Sequence, residues 1–143
     1  MKVSEHFDIR EFVSEATWNR NGEDSIKLID KRLIDLAEFY RKYFGSAVTI
    51  NNWHTGGNFQ NRGFRDFDSN VGGKTSMHRT GQAFDCNIKG YTIAELHKAI
   101  MRDQQAFYNA GLRRIEDINA APTWLHSDLK DMGMVGKIYV FKV

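Results

Sequence analysis

The sequence predicts an α+β fold: one domain spanning residues 1–143, with a small, mostly antiparallel sheet and flanking helices. Two segments, residues 24–44 and 93–110, carry apolar residues three and four apart. Between and after them lie short runs of strand character. A length of 143 residues is one domain's worth and suffices for a core without staples.

In DSIKLIDKRLIDLAEFYRKYF the residues Ile26, Ile29, Leu33, Ala37, Tyr40 and Phe44 share a helical face, Asp24 or Ser25 can cap its start, and Gly45 can end it. AVTINNW then turns to β-branched residues, so a strand is expected from about residue 47. Residues 54–74 hold five glycines among Asn, Asp, Arg and Phe with no period, which reads as a long loop. Its aromatics Phe59, Phe64 and Phe67 argue for order, and loops of this length in compact domains tend to be functional.

AFDCNIK alternates: Ala83, Asp85 and Asn87 on one face, Phe84, Cys86 and Ile88 on the other, as in a strand with one side in the core. Thr92 and Glu95 form a capping box that opens the second helix, and Gly111 follows its end. The remainder is strand-like in two or three pieces. Pro122 falls where one strand would begin, and KIYVFKV reads as the last.

Composition narrows the function. The chain is 41% hydrophobic and 27% charged, the profile of a soluble globular protein. Its 20 Lys and Arg stand against 18 Asp and Glu, a net charge of +2, so no nucleic acid partner is expected. MKVSEHFDIREF lacks the apolar stretch of a signal peptide and no run is long enough to span a membrane, so a cytoplasmic, non-membrane protein, acting as a monomer, is expected. One cysteine, Cys86, excludes an internal disulfide.

The chemistry lies in two motifs. SMHRTGQAFD places His78 seven residues before Asp85, with Gly81 allowing a tight turn between them. In TWLHSDL, Trp124, His126 and Asp128 share one face while Leu125, Ser127 and Leu129 share the other. If the apolar side is core, His126 faces a cleft. Beside His78 and Asp85 it would complete a three-ligand set with a fourth position open, the composition of catalytic zinc.

Here the sequence resembles the zinc D-Ala-D-Ala metallopeptidases, the carboxypeptidases and phage endolysins that share a fold core with the hedgehog signalling domain. Their S-x-H-x-x-G-x-A-x-D signature is matched by Ser76, His78, Gly81, Ala83 and Asp85, and an aromatic-x-H-x-D pattern by Trp124, His126 and Asp128. EHFDIREFV is similar to their F-x-x-x-E-F segment, and Asn70, Val71, Gly72 and Gly73 to their N-x-x-V-G-G approach with shorter spacing. The resemblance implies that His78, Asp85 and His126 bind Zn2+ and that the chain hydrolyses an amide of peptidoglycan stem peptides, as a D,D-carboxypeptidase or endopeptidase. A phage lysis enzyme that reaches the wall through a holin or similar lesion would fit.

Two positions depart from the family. Its carboxylate three residues before the last histidine is Thr123 here. Asp128 is the expected general base in its place, with a role in orienting a ligand as the alternative reading and Glu116 in reserve. The family's substrate-binding arginine aligns with His54, after Trp53, leaving Arg62 or Arg65 from the following loop to hold a carboxylate or oxyanion. Ser76 is expected beside His78. His54 is a substrate contact or an ordinary loop residue, and Trp53 and Trp124 line the cleft or pack in the core. A non-catalytic hedgehog-like zinc domain that binds a protein or cell-wall peptide is the alternative function. A metal-dependent nuclease or phage structural component is less well supported, since no basic stripe is present.

Overall fold

The computed structural model describes every residue except Phe67, Asp68, Asn70, Lys74 and Val143; the expectations for Phe67 and Asn70 therefore lie outside the described residues. The fold is α+β. Helices α1 (Glu15–Asn21), α2 (Lys31–Phe44), α3 (Ile93–Arg102) and α4 (Gln104–Asn109) flank strands β1 (Val48–Thr49), β2 (Ala83–Ile88), β3 (Arg114–Glu116), β4 (Leu125–Asp128) and β5 (Tyr139–Phe141). The five strands form one sheet in the order β1-β2-β4-β3-β5, antiparallel except for the parallel β3–β5 pair.

The core lies between α2 and one face of this sheet. Leu33, Ala37, Tyr40 and Phe44 of α2 are buried with Phe84, Cys86 and Ile88 of β2 and Leu125 of β4. Tyr40 stacks edge-on against Phe84 and Phe107 at 5.5 and 5.6 Å, and its hydroxyl meets Ser127 Oγ at 2.7 Å. The alternation of β2 and β4 thus sends the apolar set inward, and Asp85 and His126 to the opposite face.

Several elements are shorter than the sequence pattern predicts. Residues 24–44 are not one helix: Gly22–Leu28 is a 3-10 segment, Ile29 is extended, and α2 starts after Asp30, whose carboxylate accepts from Arg32 N. Ile26 is 37% exposed, off the core face. The break has a tertiary cause, since Gly81 O accepts from Asp30 N and pins the chain there. Gly45 ends α2 in the left-handed conformation, as expected.

The strand expected from residue 47 contracts to β1. The Thr92–Glu95 capping box opens α3, but the helix over 93–110 is interrupted at Asp103, whose φ of −121° and ψ of 39° leave the helical region. Pro122 stands three residues ahead of β4 rather than at its start. Residues 54–74 contain, among the described residues, no strand and no helix beyond the end of the 3-10 turn Trp53–Thr55.

Candidate metal centre

Register brings two of the expected ligands together. Asp85 and His126 are direct partners across the β2–β4 pair and stand on the face turned away from the core. His78 arrives from the 3-10 turn Met77–Thr80 that precedes β2. Ser76 caps this turn by accepting from His78 N, so it shapes the turn's backbone while its side chain borders the cleft. Gly81 closes the turn at φ 70°, where a Cβ would lie 1.9 Å from Leu28 O. Only glycine fits both the conformation and the contact.

The three ligating atoms form a nearly equilateral triangle. His78 Nε2 lies 3.2 Å from His126 Nδ1 and 3.3 Å from Asp85 Oδ1, and His126 Nδ1 lies 3.0 Å from Asp85 Oδ1. A tetrahedral ion with bonds of about 2.0–2.1 Å needs ligand atoms about 3.3 Å apart. The outer nitrogens settle the tautomers. His78 Nδ1 meets Gly63 O at 2.8 Å, a group that can only accept, and His126 Nε2 meets Asp128 Oδ2 at 2.8 Å. Each ring spends an N–H outward, so its other nitrogen turns a lone pair toward the Asp85 carboxylate. Three electron-pair donors on one point are the donor set of a cation, and the buried group can hold a metal ion.

The electrostatics agree. Burial works to raise the Asp85 carboxyl, but the facing His78 and the hydrogen bond to His126 hold it well below the usual carboxylate range. Burial works to lower His126, yet its hydrogen bonds to Asp128 and Asp85 lift it to about 9. The metal-free site therefore takes up a proton at the same point, between His126 Nδ1 and Asp85 Oδ1.

Asp128 is not placed as a base. It is fully buried, on the far side of the His126 ring from the triangle. Its oxygens accept from Arg114 Nε and Nη2 at 2.8–3.1 Å and from Lys130 N at 3.1 Å. With its lone pairs engaged, it orients His126, as a carboxylate does behind a histidine that can hold a metal. Side-chain alternation put Asp128 on the right face but could not tell which imidazole nitrogen would turn toward it.

Glu116, the reserve candidate, stands in the open. It lines the same cleft of about 410 Å³ as His78, Asp85 and His126. Its carboxylate has no hydrogen-bond partner among the described residues. Burial is the main cause of its raised pKa, against the pull of His126.

Of the two candidate arginines, Arg65 is the one at the centre: its guanidinium donates to Asp85 Oδ2 at 3.2 Å and lines the cleft. Arg62 instead bonds Asn87 and stacks 3.6 Å over Phe59, outside the cleft. Trp124 lines the cleft, whereas Trp53 and His54 do not. Trp53 Nε1 donates to Val13 O, and His54 lies near Arg10 and Asp8, with burial lowering its pKa. The glycine-rich insertion after residue 55 folds back on Asn52 through Gly57 and Phe59, and the chain reaches the site at residue 62, where Arg62 O accepts from Asp85 N. Residues that pattern reasoning missed are Arg114, Lys130, Phe141 and Lys142, all on the cleft wall. Arg114 lies 4.0 Å over the Phe141 ring, and that ring meets His126 edge-on at 5.3 Å.

In a second group Glu5 and His6 are exposed and Glu38 is half-buried, and Glu38 is already occupied by Ser4 Oγ, His6 N and His6 Nδ1. No protein-family model, curated protein or solved structure matches the chain.

Proposed function

We propose that this chain is a zinc-dependent peptidase that hydrolyses an amide bond in peptidoglycan stem peptides, as a D,D-carboxypeptidase or an endopeptidase. The observation that carries the reading is the convergence of His78 Nε2, Asp85 Oδ1 and His126 Nδ1 in a cleft that also holds an unengaged carboxylate, Glu116. Two imidazoles and one carboxylate suit zinc and leave a coordination position open. Zinc bound there supplies an activated water and a Lewis acid for the scissile carbonyl.

The chain's own groups do the remaining work. Glu116 takes the proton of the attacking water and passes it to the leaving amine as the C–N bond breaks, and its raised pKa brings it toward neutrality, where a base both accepts and returns a proton. Arg65 keeps Asp85 ionised and presents positive charge to the oxyanion. Asp128 and Arg114 fix the His126 ring. Lys130 and Lys142, unpaired among the described residues, favour a substrate that carries a free carboxylate near the scissile bond.

A non-catalytic hedgehog-like zinc domain is the competing reading, favoured by Thr123 at the family's carboxylate position. Digestion of peptidoglycan, followed by mass analysis of the fragments, separates the two. New amine and carboxyl ends from wild type but not from Glu116→Gln support the peptidase. No new ends from zinc-loaded wild type, together with retention on the wall, would establish the binder. If the protein is made in the cytoplasm, action on the wall requires release through a membrane lesion, as in phage lysis.

A further inference from the structure

The metal ligands are braced from behind by a loop that depends on one buried amide. Three of four consecutive residues of that loop touch the site. Arg62 O accepts from Asp85 N at 2.7 Å, Gly63 O meets His78 Nδ1 at 2.8 Å, and Arg65 N donates to His78 O at 3.0 Å. Arg65 also reaches Asp85 Oδ2 with its side chain. Phe64 points its N–H the other way, to Phe12 O at 2.7 Å.

Residues 62–65 have no regular secondary structure of their own. Beside the side-chain bond of Arg62 to Asn87, two ties run from the segment to the N-terminal segment. One is the Phe64–Phe12 backbone bond, pressed so close that a Cβ on Gly63 would lie 2.3 Å from Phe12 O. The other is Asn51. Its side chain is 1% exposed, donates from Nδ2 to Val13 O at 3.0 Å and accepts at Oδ1 from Arg62 N at 2.9 Å. Val13 O can only accept and Arg62 N can only donate, so the amide has one possible orientation. Asn51 N donates to Glu11 O at 3.0 Å, which fixes its own backbone to the same segment.

We infer that Asn51 is a positioning residue of the metal centre: its carboxamide clamps Arg62 N, and so sets the two successive carbonyls, Arg62 O and Gly63 O, that hold Asp85 and His78. Losing the Oδ1 acceptor leaves the partly buried Arg62 N without its protein partner, and the peptide can relieve this by turning. That turn carries Arg62 O away from Asp85 N and Gly63 O away from the His78 ring. The ring then loses the partner that selects its tautomer, a loss that in metal sites costs about 10–100-fold in affinity.

This inference rests on the metal reading of the triangle, and the test separates the two. Zinc affinity is measured by competition with a chromophoric chelator for wild type, Asn51→Leu and Asn51→Asp. A core variant remote from the site, Ile100→Val, serves as the stability control. The leucine variant, of similar volume and with neither half of the clamp, is expected to bind zinc about 10–100-fold more weakly. The aspartate variant keeps the acceptor for Arg62 N and is expected within about threefold of wild type, as is Ile100→Val. Equal affinity in wild type and Asn51→Leu, or equal loss in the leucine and aspartate variants, overturns the inference. Wild type that takes up no zinc overturns the metal centre itself.

A measurement on wild type covers the case in which Asn51→Leu does not fold. Coupling is reciprocal, so zinc must tighten the clamp as the clamp tightens zinc. Zinc loading is expected to slow hydrogen exchange at Arg62 N at least about tenfold. Unchanged exchange there, with zinc bound, overturns the inference.

Discussion

Asp85 and His126 face one another across the β2–β4 pair, with Oδ1 of the carboxylate 3.0 Å from Nδ1 of the imidazole and His78 Nε2 within 3.3 Å of both atoms. Behind the imidazole, Asp128 takes its other N–H, so the ring is fixed in orientation and in tautomer. The point where the three atoms converge can take a proton or hold a metal ion, and the two would compete.

That competition predicts a pH dependence with opposite signs in the two forms. In the metal-free protein His126 is raised from an ordinary 6.5 to about 9. Its contribution to stability is complete below about pH 6.5 and is lost as pH rises through about 9. Asp85 runs the other way: held below its usual value, it contributes above about pH 4 and loses that contribution as pH falls. The contribution of these two groups to metal-free stability is thus expected to be largest between about pH 4 and 6.5, with at most about 3 kcal/mol of it lost by pH 9. Zinc affinity should rise over that same interval, as fewer proteins carry the competing proton. Denaturant titrations of chelator-treated protein at pH 6 and pH 9 check the first part. Chelator competition at the same two values checks the second.

The two carboxylates beside the triangle should separate cleanly by kinetics. Asp128→Asn weakens the partner of His126 Nε2 and is expected to lower zinc affinity about 10–100-fold, with activity recovering in excess zinc. Glu116→Gln leaves the ligand set intact. It should bind zinc within about threefold of wild type and lose about 100–10,000-fold in kcat at any zinc concentration. Activity that survives in Glu116→Gln and vanishes in zinc-saturated Asp128→Asn would reverse the two roles.

The contrast between these two residues shows what the sequence could convey. That Asp85 and His126 would meet was implied by the family resemblance alone, but the face each takes was legible because strand alternation acts on neighbouring residues, and a side chain's face follows from its position. The orientation of an imidazole does not, so alternation alone left Asp128 open as a base or as the group that orients His126. Arg114 and Phe141 lie on strands of three residues, too short for a period to register, and Lys130 and Lys142 lie just outside strands. Helix α2 starts seven residues later than its pattern suggests because Gly81, fifty residues on, takes Asp30 N. Local periodicity carries no record of that contact. The Asn51 clamp was equally silent, one of two adjacent asparagines just past β1, with partners at residues 13 and 62.

Charge on the cleft wall predicts substrate preference. Arg65 and Arg114 are committed to Asp85 and Asp128, whereas Lys130 and Lys142 are unpaired among the described residues. Replacing both by glutamate should raise KM for a peptide with a free carboxylate beside the scissile bond by about tenfold at low salt, with little change in kcat. The effect should shrink with added salt and be absent for the same peptide amidated. A loss equal for both peptides would place the lysines in folding or catalysis instead.

Gly81 joins the fold to the site, and substituting it should disturb both at once. A Cβ there would meet Leu28 O at 1.9 Å, with backbone at φ 70°, so alanine must push the turn away from residues 28–30. The strain and the lost Gly81–Asp30 bond together are expected to cost about 2–4 kcal/mol. His78 sits three residues earlier in that turn, and Asp30 caps α2, so the displacement reaches the metal ligand on one side and the core helix on the other. Gly81→Ala should therefore lower the melting temperature of the metal-free protein and, where folded, its zinc affinity. Gly73→Ala is the matched control, since a Cβ there meets nothing within 4 Å and it borders the same cleft. It should leave both quantities near wild type. Calorimetry of metal-free protein and chelator competition on the two variants test this, and a Gly81→Ala protein with unchanged stability would show that the turn yields more easily than its contacts imply.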